Sequence, residues 1–119
     1  MIKRVAIPVE NERLSEYFGE CSYCQVFEID GTVTGHHKIQ FPAGMGVSEL
    51  PGWLGEMGIT DVIAYKINSK IIHLLASKKV NLFVGVPIDL PENLIDIYLQ
   101  GKLESDEKII KEITLVTEE

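Results

Sequence analysis

The sequence is short of cysteine and of long apolar runs. Its 119 residues include two cysteines, too few for the disulfide framework of a small secreted domain. Its longest apolar runs, such as residues 62–65, fall far short of the roughly 20 residues that a membrane-spanning helix needs. Residues 1–5 lead into a strand-like pattern without the features of a secretory signal. We therefore expect a cytoplasmic protein without a membrane span.

Basic charge is also scarce. The chain has 11 lysines and arginines against 18 acidic residues, which opposes the phosphate contacts that supply most nucleic-acid affinity. A nucleic-acid partner is therefore disfavoured. Of the net charge of -7, residues 104–119 carry -4, from six acidic residues and two lysines. We expect one domain over residues 1–103, followed by an acidic C-terminal extension over residues 104–119.

The first half of the chain has the pattern of three strands. Residues 3–9 are rich in β-branched side chains, which favour strands. Residues 23–29 and 32–40 flank Asp30-Gly31, a pair that tolerates positive φ and is a strong hairpin signal. The second and third strands should therefore pair antiparallel.

The second half of the chain shows three helical patterns. Ser48 is predicted to cap the first helix, which ends at Gly58, and Asn68 is predicted to cap the second. Pro91 suits the first turn of the third helix, which ends at Gly101. These caps and breakers set the expected lengths of the helices.

Two short apolar segments, residues 61–65 and 81–86, alternate with these helices. Near-continuous apolar strands of this kind pair in parallel through right-handed crossovers and are buried on both faces. The predicted order is β-β-β-α-β-α-β-α, which makes an α/β fold with a mixed five-stranded sheet. The tail from Ser105 fits a helix as well as a strand, and both alternatives stay open.

Apolar and glycine residues recur in five short segments: residues 5–9 (VAIPV), Ser15-x-x-Phe18-Gly19, residues 54–63, residues 82–85 (LFVG) and residues 98–103 (YLQGKL). Over residues 2–103 these segments resemble the dinitrogenase iron-molybdenum cofactor family, which includes carriers of the NifX type and the C-terminal part of NifB. The family fold is a ribonuclease-H-like α/β layer, which agrees with the element order above. Motifs of this kind specify a fold better than a ligand.

The resemblance implies a small non-enzymatic protein that binds an iron-sulfur or iron-molybdenum cluster precursor and passes it between donor and acceptor proteins. Loops beyond the carboxyl ends of strands are the usual ligand sites of open α/β sheets. Three such loops would bring five candidate cofactor-binding residues to one end of the sheet: Phe18, Gly19, Met45, Lys66 and Asn68. The protein would act as a monomer or as a homodimer.

Two loops depart from the family pattern. Members often have a histidine in the glycine-rich stretch after the third strand, where this chain has Met45. The turn after the fourth strand is often bracketed by glycines, and here Tyr65 and Asn68 stand in their place. An alternative function is therefore a ligand-free protein-interaction module on the same fold, with the acidic tail as a contact element.

Cys21 and Cys24 have the spacing of soft ligands that reach one metal ion from a turn. The nearest further ligands are His36 and His37, which the hairpin folds back towards the cysteines. A two-residue loop would put His37 opposite Cys24, whereas a three-residue loop would put His36 opposite Val26. Burial of the apolar side chains favours the second register, so His36 is the predicted partner of Cys24. The alternative is a buried structural thiol beside exposed histidines.

The same cysteine pair allows a third function, that of a minor thiol redox enzyme. A low thiolate pKa in such a motif usually depends on a helix N-terminus that follows the first cysteine. Here a strand is predicted after Cys21. Thiol redox activity is therefore the least favoured of the three hypotheses.

Overall fold

A mixed six-stranded sheet forms the centre of the fold. The structure, a computed structural model, describes residues 2–105. The strands are β1 Lys3–Glu10, β2 Arg13–Leu14, β3 Tyr23–Asp30, β4 Thr32–Ile39, β5 Asp61–Ile63 and β6 Asn81–Phe83. The helices are α1 Leu50–Glu56, α2 Ser69–Ser77 and α3 Pro91–Leu99, and a 3-10 turn at Val47–Glu49 precedes α1. The predicted α/β class is confirmed, and the element order differs from the prediction by the addition of β2.

The strands follow the order β4-β3-β1-β5-β6 across the sheet, and β2 pairs with β1. Strand β1 is antiparallel to β3 and parallel to β5, and β5 is parallel to β6. The sheet is therefore mixed, as the hairpin signal and the short apolar segments predict.

Apolar side chains cover both faces of this sheet. Ala6 of β1 belongs to one buried cluster with Leu54 of α1 and Leu75 of α2, on what we call the α1/α2 face. Ile7 belongs to a second cluster with Leu94 of α3, on what we call the α3 face. This alternation along β1 follows from the two-residue repeat of a strand.

The sheet has six strands instead of the expected five because the sequence pattern does not reveal β2. Glu10 pairs with Arg13 across a two-residue turn at Asn11 and Glu12, whose φ angles are 53° and 67°. The usual sequence of such a turn is Asn-Gly or Asp-Gly, and Glu12 occupies the glycine position. A strand of two residues also has too few positions for an alternating pattern.

The register of the hairpin between β3 and β4 differs from the prediction. Asp30 pairs with Thr32 at the turn, as a three-residue loop requires. A bulge between the turn and the middle of the strands then shifts the pairing by one residue, so that Val26 faces His37 instead of His36. Because neighbouring strand residues point to opposite faces, this shift exchanges the faces that the two histidines occupy.

The predicted Ser48 cap is wrong, because α1 begins at Leu50. The Glu49 carboxylate accepts the Gly46 N–H at 3.0 Å in the preceding 3-10 turn, and Pro51 lies in the first turn of α1. Proline suits a first turn because the N–H that it lacks has no partner there.

The other helix boundaries agree with the predicted signals. The Asn68 side chain accepts the Lys70 N–H at 2.7 Å and caps α2, and Pro91 is the first residue of α3. Gly58 and Gly101 follow α1 and α3 with φ angles of 78° and 70°, a left-handed conformation that ends a helix. Local sequence therefore determines these boundaries.

Residues 106–119 lie outside the described part of the chain. Most of the predicted acidic extension therefore lies outside the described residues. So does most of the tail that the sequence predicts as either a helix or a strand. Within residues 2–105, no helix has the length and apolar character that crossing a membrane requires.

Candidate functional site

Several chain connections meet at one edge of the sheet. Strands β1 and β5 are parallel, so their carboxyl ends share this edge. The antiparallel strand β3 starts there, with Tyr23 opposite Val9, and β4 ends there, with Ile39 opposite Cys24. We call the three connections at this edge, residues 15–24, 41–47 and 65–68, the rim.

Backbone hydrogen bonds join the first and third connections of the rim. Tyr17 and Lys66 form a parallel bridge, in which the Phe18 N–H donates to the Lys66 carbonyl at 2.9 Å. The Lys66 N–H donates to the Glu16 carbonyl at 3.0 Å. Two of the predicted binding residues, Phe18 and Lys66, are therefore held side by side.

Side-chain packing joins the first and second connections. A Cβ atom placed on Gly19 would lie 3.0 Å from Val47 Cγ2, and the Phe18 and Phe41 ring centroids are 6.3 Å apart. Met45 packs against the same cluster on the α1/α2 face. The structure thus gathers Phe18, Gly19, Met45 and Lys66 at one edge, as the sequence predicted.

The Lys66 ammonium group places positive charge at the rim. Its Nζ lies 3.7 Å from Glu16 Oε2 and lies over the rings of Tyr17 and Tyr65, 5.4 Å and 5.8 Å from their centroids. The Lys66 side chain is 24% exposed, so this charge is partly shielded from solvent. The Asn68 side-chain oxygen is engaged in capping α2, which ties the same connection to the helix.

The two cysteines differ in exposure and in charge. Cys21 is partly exposed in the first connection, whereas Cys24 is 1% exposed on β3. A hydrogen bond from the Cys24 thiol lowers the pKa of Cys21, and the N–H groups of Cys21 and Gly19 lower it further against the opposing effects of burial and Glu10. The same contact and burial raise the pKa of Cys24 well above its usual value. Cys21 is therefore the more acidic of the two thiols.

The histidines lie further along β4, away from the rim. The His36 ring is 5.9 Å from the Phe27 ring, and His36 Nδ1 lies 3.3 Å from Gln25 Nε2. His37 lies on the other face, where its Nδ1 is 3.9 Å from Glu28 Oε1. Each ring therefore has its own neighbours on the sheet.

The predicted partnership of Cys24 with His36 is wrong, because the bulge changes the register. Ile39 lies opposite Cys24, and the face of Cys24 is shared by His37. Among residues 2–105, no three side chains of His, Cys, Asp or Glu come together around a position for a metal ion.

Aromatic rings pack behind the rim, and the sequence alone did not choose between a core position and a position over the loops for Trp53. Trp53 of α1 packs edge-on against Phe41, with ring centroids 5.6 Å apart, and Phe41 in turn contacts Phe18. The sequence signal is an aromatic residue on each side of the glycine-rich segment 43–46, but its spacing does not reveal which rings meet. The three rings join the loops of the rim to the α1/α2 face.

A match to a protein-family model shows which family the chain belongs to. The model described as "Dinitrogenase iron-molybdenum cofactor" matches residues 1–101. The chain belongs to this family. The resemblance in the sequence motifs is thus confirmed over nearly all of the expected range, and it associates this small protein with the iron-molybdenum cofactor of dinitrogenase.

Individual relatives agree with this family membership. The uncharacterised protein MJ0580 of Methanocaldococcus jannaschii is 26% identical over 112 residues, which cover 89% of this chain and 93% of that protein. The crystal structure of PH0822 has a TM-score of 0.79 at 27% identity, and the match covers 87% of this chain and 94% of that one. The apo form of the orange protein from Desulfovibrio gigas has a TM-score of 0.75 at 12% identity, covering 89% and 94% of the two chains, and it shows the shared fold.

Proposed function

We propose that this family member is a non-enzymatic carrier that binds an iron-sulfur or iron-molybdenum cluster precursor at the rim. The observation that carries the proposal is the position of Cys21, which is partly exposed in a loop joined by backbone hydrogen bonds to the loop of Lys66, and whose pKa is lowered by its hydrogen-bonding neighbours. Thiolates are the usual protein ligands of iron-sulfur clusters. The rim therefore offers a suitable donor for such a cargo.

Charge and shape at the rim support the same cargo. Clusters with thiolate and sulfide ligands are commonly anionic, and Lys66 supplies positive charge to the rim. Met45, which is partly buried, supplies apolar surface in front of the buried Phe18, and the Gly19 N–H helps to lower the pKa of Cys21. In this proposal Asn68 positions the Lys66 connection through its cap on α2.

The small number of ligands favours transfer of the cargo over permanent storage. A precursor cluster brings sulfides of its own, so it needs fewer protein ligands than a bare metal ion. Cys21 is the accessible ligand, and Cys24 becomes available only if its buried thiol is exposed. Among the described residues, His36 and His37 do not form a group of three possible metal ligands with the cysteines, so we leave them outside the proposed site.

The proposal includes partners and location. Cluster donor and acceptor proteins in the cytoplasm would exchange cargo at the rim, with the carrier acting as a monomer or homodimer.

We also propose that the fold is of the ribonuclease-H-like type, because the order β4-β3-β1-β5-β6 joins an antiparallel hairpin to parallel strands that are covered by helices on both faces. Residues 1–103 would form this unit.

Anaerobic reconstitution with ferrous iron and sulfide tests the proposal. We expect stoichiometric iron and a visible charge-transfer absorption in the wild type, loss of both in Cys21→Ser, and weaker retention in Lys66→Gln. The matched control is His36→Ala, which should bind as the wild type does. Iron binding that survives Cys21→Ser would contradict the proposed site. A protein without iron that captures a partner through residues 104–119 would instead support the ligand-free interaction module.

A further inference from the structure

An open apolar groove on the α3 face lies beside the point where the described chain ends, and Ser105 is one of its lining residues. We propose that residues 106–119 of the same chain dock in this groove and cover it. The contact is within one molecule, and the proposal does not rest on the carrier function.

The groove has a volume of about 430 Å³ and lies next to the end of β6. Two of its lining residues, Val86 and Leu94, belong to the buried cluster of the α3 face. Ile97 and Leu103 also line it, and both are only partly buried. Among residues 2–105 the groove stays open to solvent, so these apolar side chains are available for a further contact.

The loop that forms one side of the groove exposes more apolar surface. Pro87 and Asp89 of this loop line the groove, and the neighbouring Ile88 and Leu90 are 42% and 41% exposed. Single exposed apolar side chains are ordinary, whereas a contiguous apolar patch usually marks a binding surface. The groove and this loop together form such a patch.

Ser105 fixes the place where the chain leaves the described fold. Its Oγ accepts the Val84 N–H at 3.0 Å, beside the groove. Residues 106–119, 14 in all, therefore start at the wall of the groove. At about 3.3 Å per extended residue, four of them span about 13 Å. Ile109 can thus reach into the groove without displacement of Ser105.

The sequence of the C-terminal segment suits an apolar groove. Its apolar side chains are those of Ile109, Ile110, Ile113, Leu115 and Val116. Ile109 and Ile113 are four residues apart, a spacing that puts them on one face of a helix and also on one face of a strand. Both conformations that the sequence allows therefore present these two isoleucines together.

A tethered segment also has an advantage over a separate partner. A short flexible connection gives the attached segment an effective concentration on the order of millimolar. A second copy of the chain would have to fill the groove at the much lower concentration of the free protein. The covalent link at Ser105 therefore favours residues 106–119 as the occupant.

Amide hydrogen exchange and methyl NOE measurements by NMR on the full-length protein test the proposal. We expect the amides of residues 109–116 to exchange at least about tenfold more slowly than those of an unstructured chain. The methyl groups of Ile109 and Ile113 should show NOEs to those of Ile97 and Leu103. Both measurements use the wild type and do not depend on how any variant folds.

Ile113→Asp tests whether the isoleucine face makes the contact. A buried unpaired carboxylate is costly, so this variant should return residues 109–116 to the exchange rates of an unstructured chain and lose the NOEs. Thr114→Asp is the matched control, because it adds the same charge at the next residue, off the face of Ile109 and Ile113. It should keep the slow exchange. Resonances of residues 2–105 away from the groove should be the same in both variants.

Three outcomes would overturn the proposal. Exchange of residues 109–116 in the wild type at the rate of an unstructured chain would show that the segment does not dock. NOEs that pass only between differently labelled molecules would assign the groove to a second copy. Equal exchange in Ile113→Asp and Thr114→Asp would exclude the isoleucine face. None of these results involves iron, so the reconstitution experiment succeeds or fails separately.

Discussion

Gly19 and Val47 are in contact across two connections of the rim, and the contact leaves little room for a Cβ atom at residue 19. A Cβ atom there would lie 3.0 Å from Val47 Cγ2, and the Gly19 φ of 95° disfavours any residue with a side chain. The rim therefore depends on this glycine for its shape as well as for its N–H group.

Replacement of this glycine should destabilise the protein. We expect Gly19→Ala to lower the free energy of unfolding by about 1–3 kcal/mol, because it adds backbone strain and a clash with Val47. Urea denaturation measures the change. Gly35→Ala is the matched control, because a Cβ atom at Gly35 meets nothing within 4 Å. Equal stability of the two variants would show that the Gly19 loop adapts freely.

Tyr98 should make the stability depend on alkaline pH. Burial, the charge of Asp61 and a hydrogen bond to Asp61 raise the pKa of Tyr98 from 10.0 to about 12. Between these values the folded protein keeps a proton that the unfolded chain has lost, so rising pH favours unfolding. The stabilisation that protonated Tyr98 contributes to the fold is complete below the pKa of tyrosine in the unfolded chain. It is lost as the pH rises through about 12.

Urea titrations of the wild type and Tyr98→Phe across that range test this prediction. The wild type should lose more stability than the variant between pH 10 and about 12. Tyr17→Phe is a suitable control, because it removes a tyrosine that is 45% exposed. Parallel pH curves for the wild type and Tyr98→Phe would contradict the prediction.

The caps of the first two helices give a third prediction. Asn68→Ala removes the side-chain acceptor of the Lys70 N–H, and should cost about 1 kcal/mol of stability. Ser48→Ala should have little effect, because the exposed Ser48 lies inside the 3-10 turn and does not cap α1. Thermal melting of the two variants compares them directly. A larger loss for Ser48→Ala would mean that the boundary of α1 is wrong.

Local signals predicted much of the fold and the location of the site. Asp30-Gly31, Asn68 and Pro91 each act through the backbone of a few neighbouring residues, so their effects are visible in sequence. The loops of Gly19 and Lys66 follow from the strand order, because parallel strands bring their carboxyl ends to one edge. The family motifs added the identity of the fold.

The histidines show where prediction failed. The two-residue loop and the three-residue loop each define a register without a bulge. The observed bulge places His37, and not His36, on the face of Cys24. A bulge inserts one residue and reverses the facing of every residue beyond it. The sequence does offer one signal, Gly35, because an isolated glycine inside a strand often marks a bulge, and the register prediction did not use it.

The sequence alone therefore determined the order of the main elements, the hairpin turn at Asp30-Gly31, most of the helix ends, and the family, because these depend on neighbouring residues or on motifs along the chain. Only the tertiary structure decided the pairing of β2, the register of β4 and the different environments of Cys21 and Cys24. Those features arise from contacts between distant segments, where one residue of shift or a few ångströms of depth changes which atoms meet.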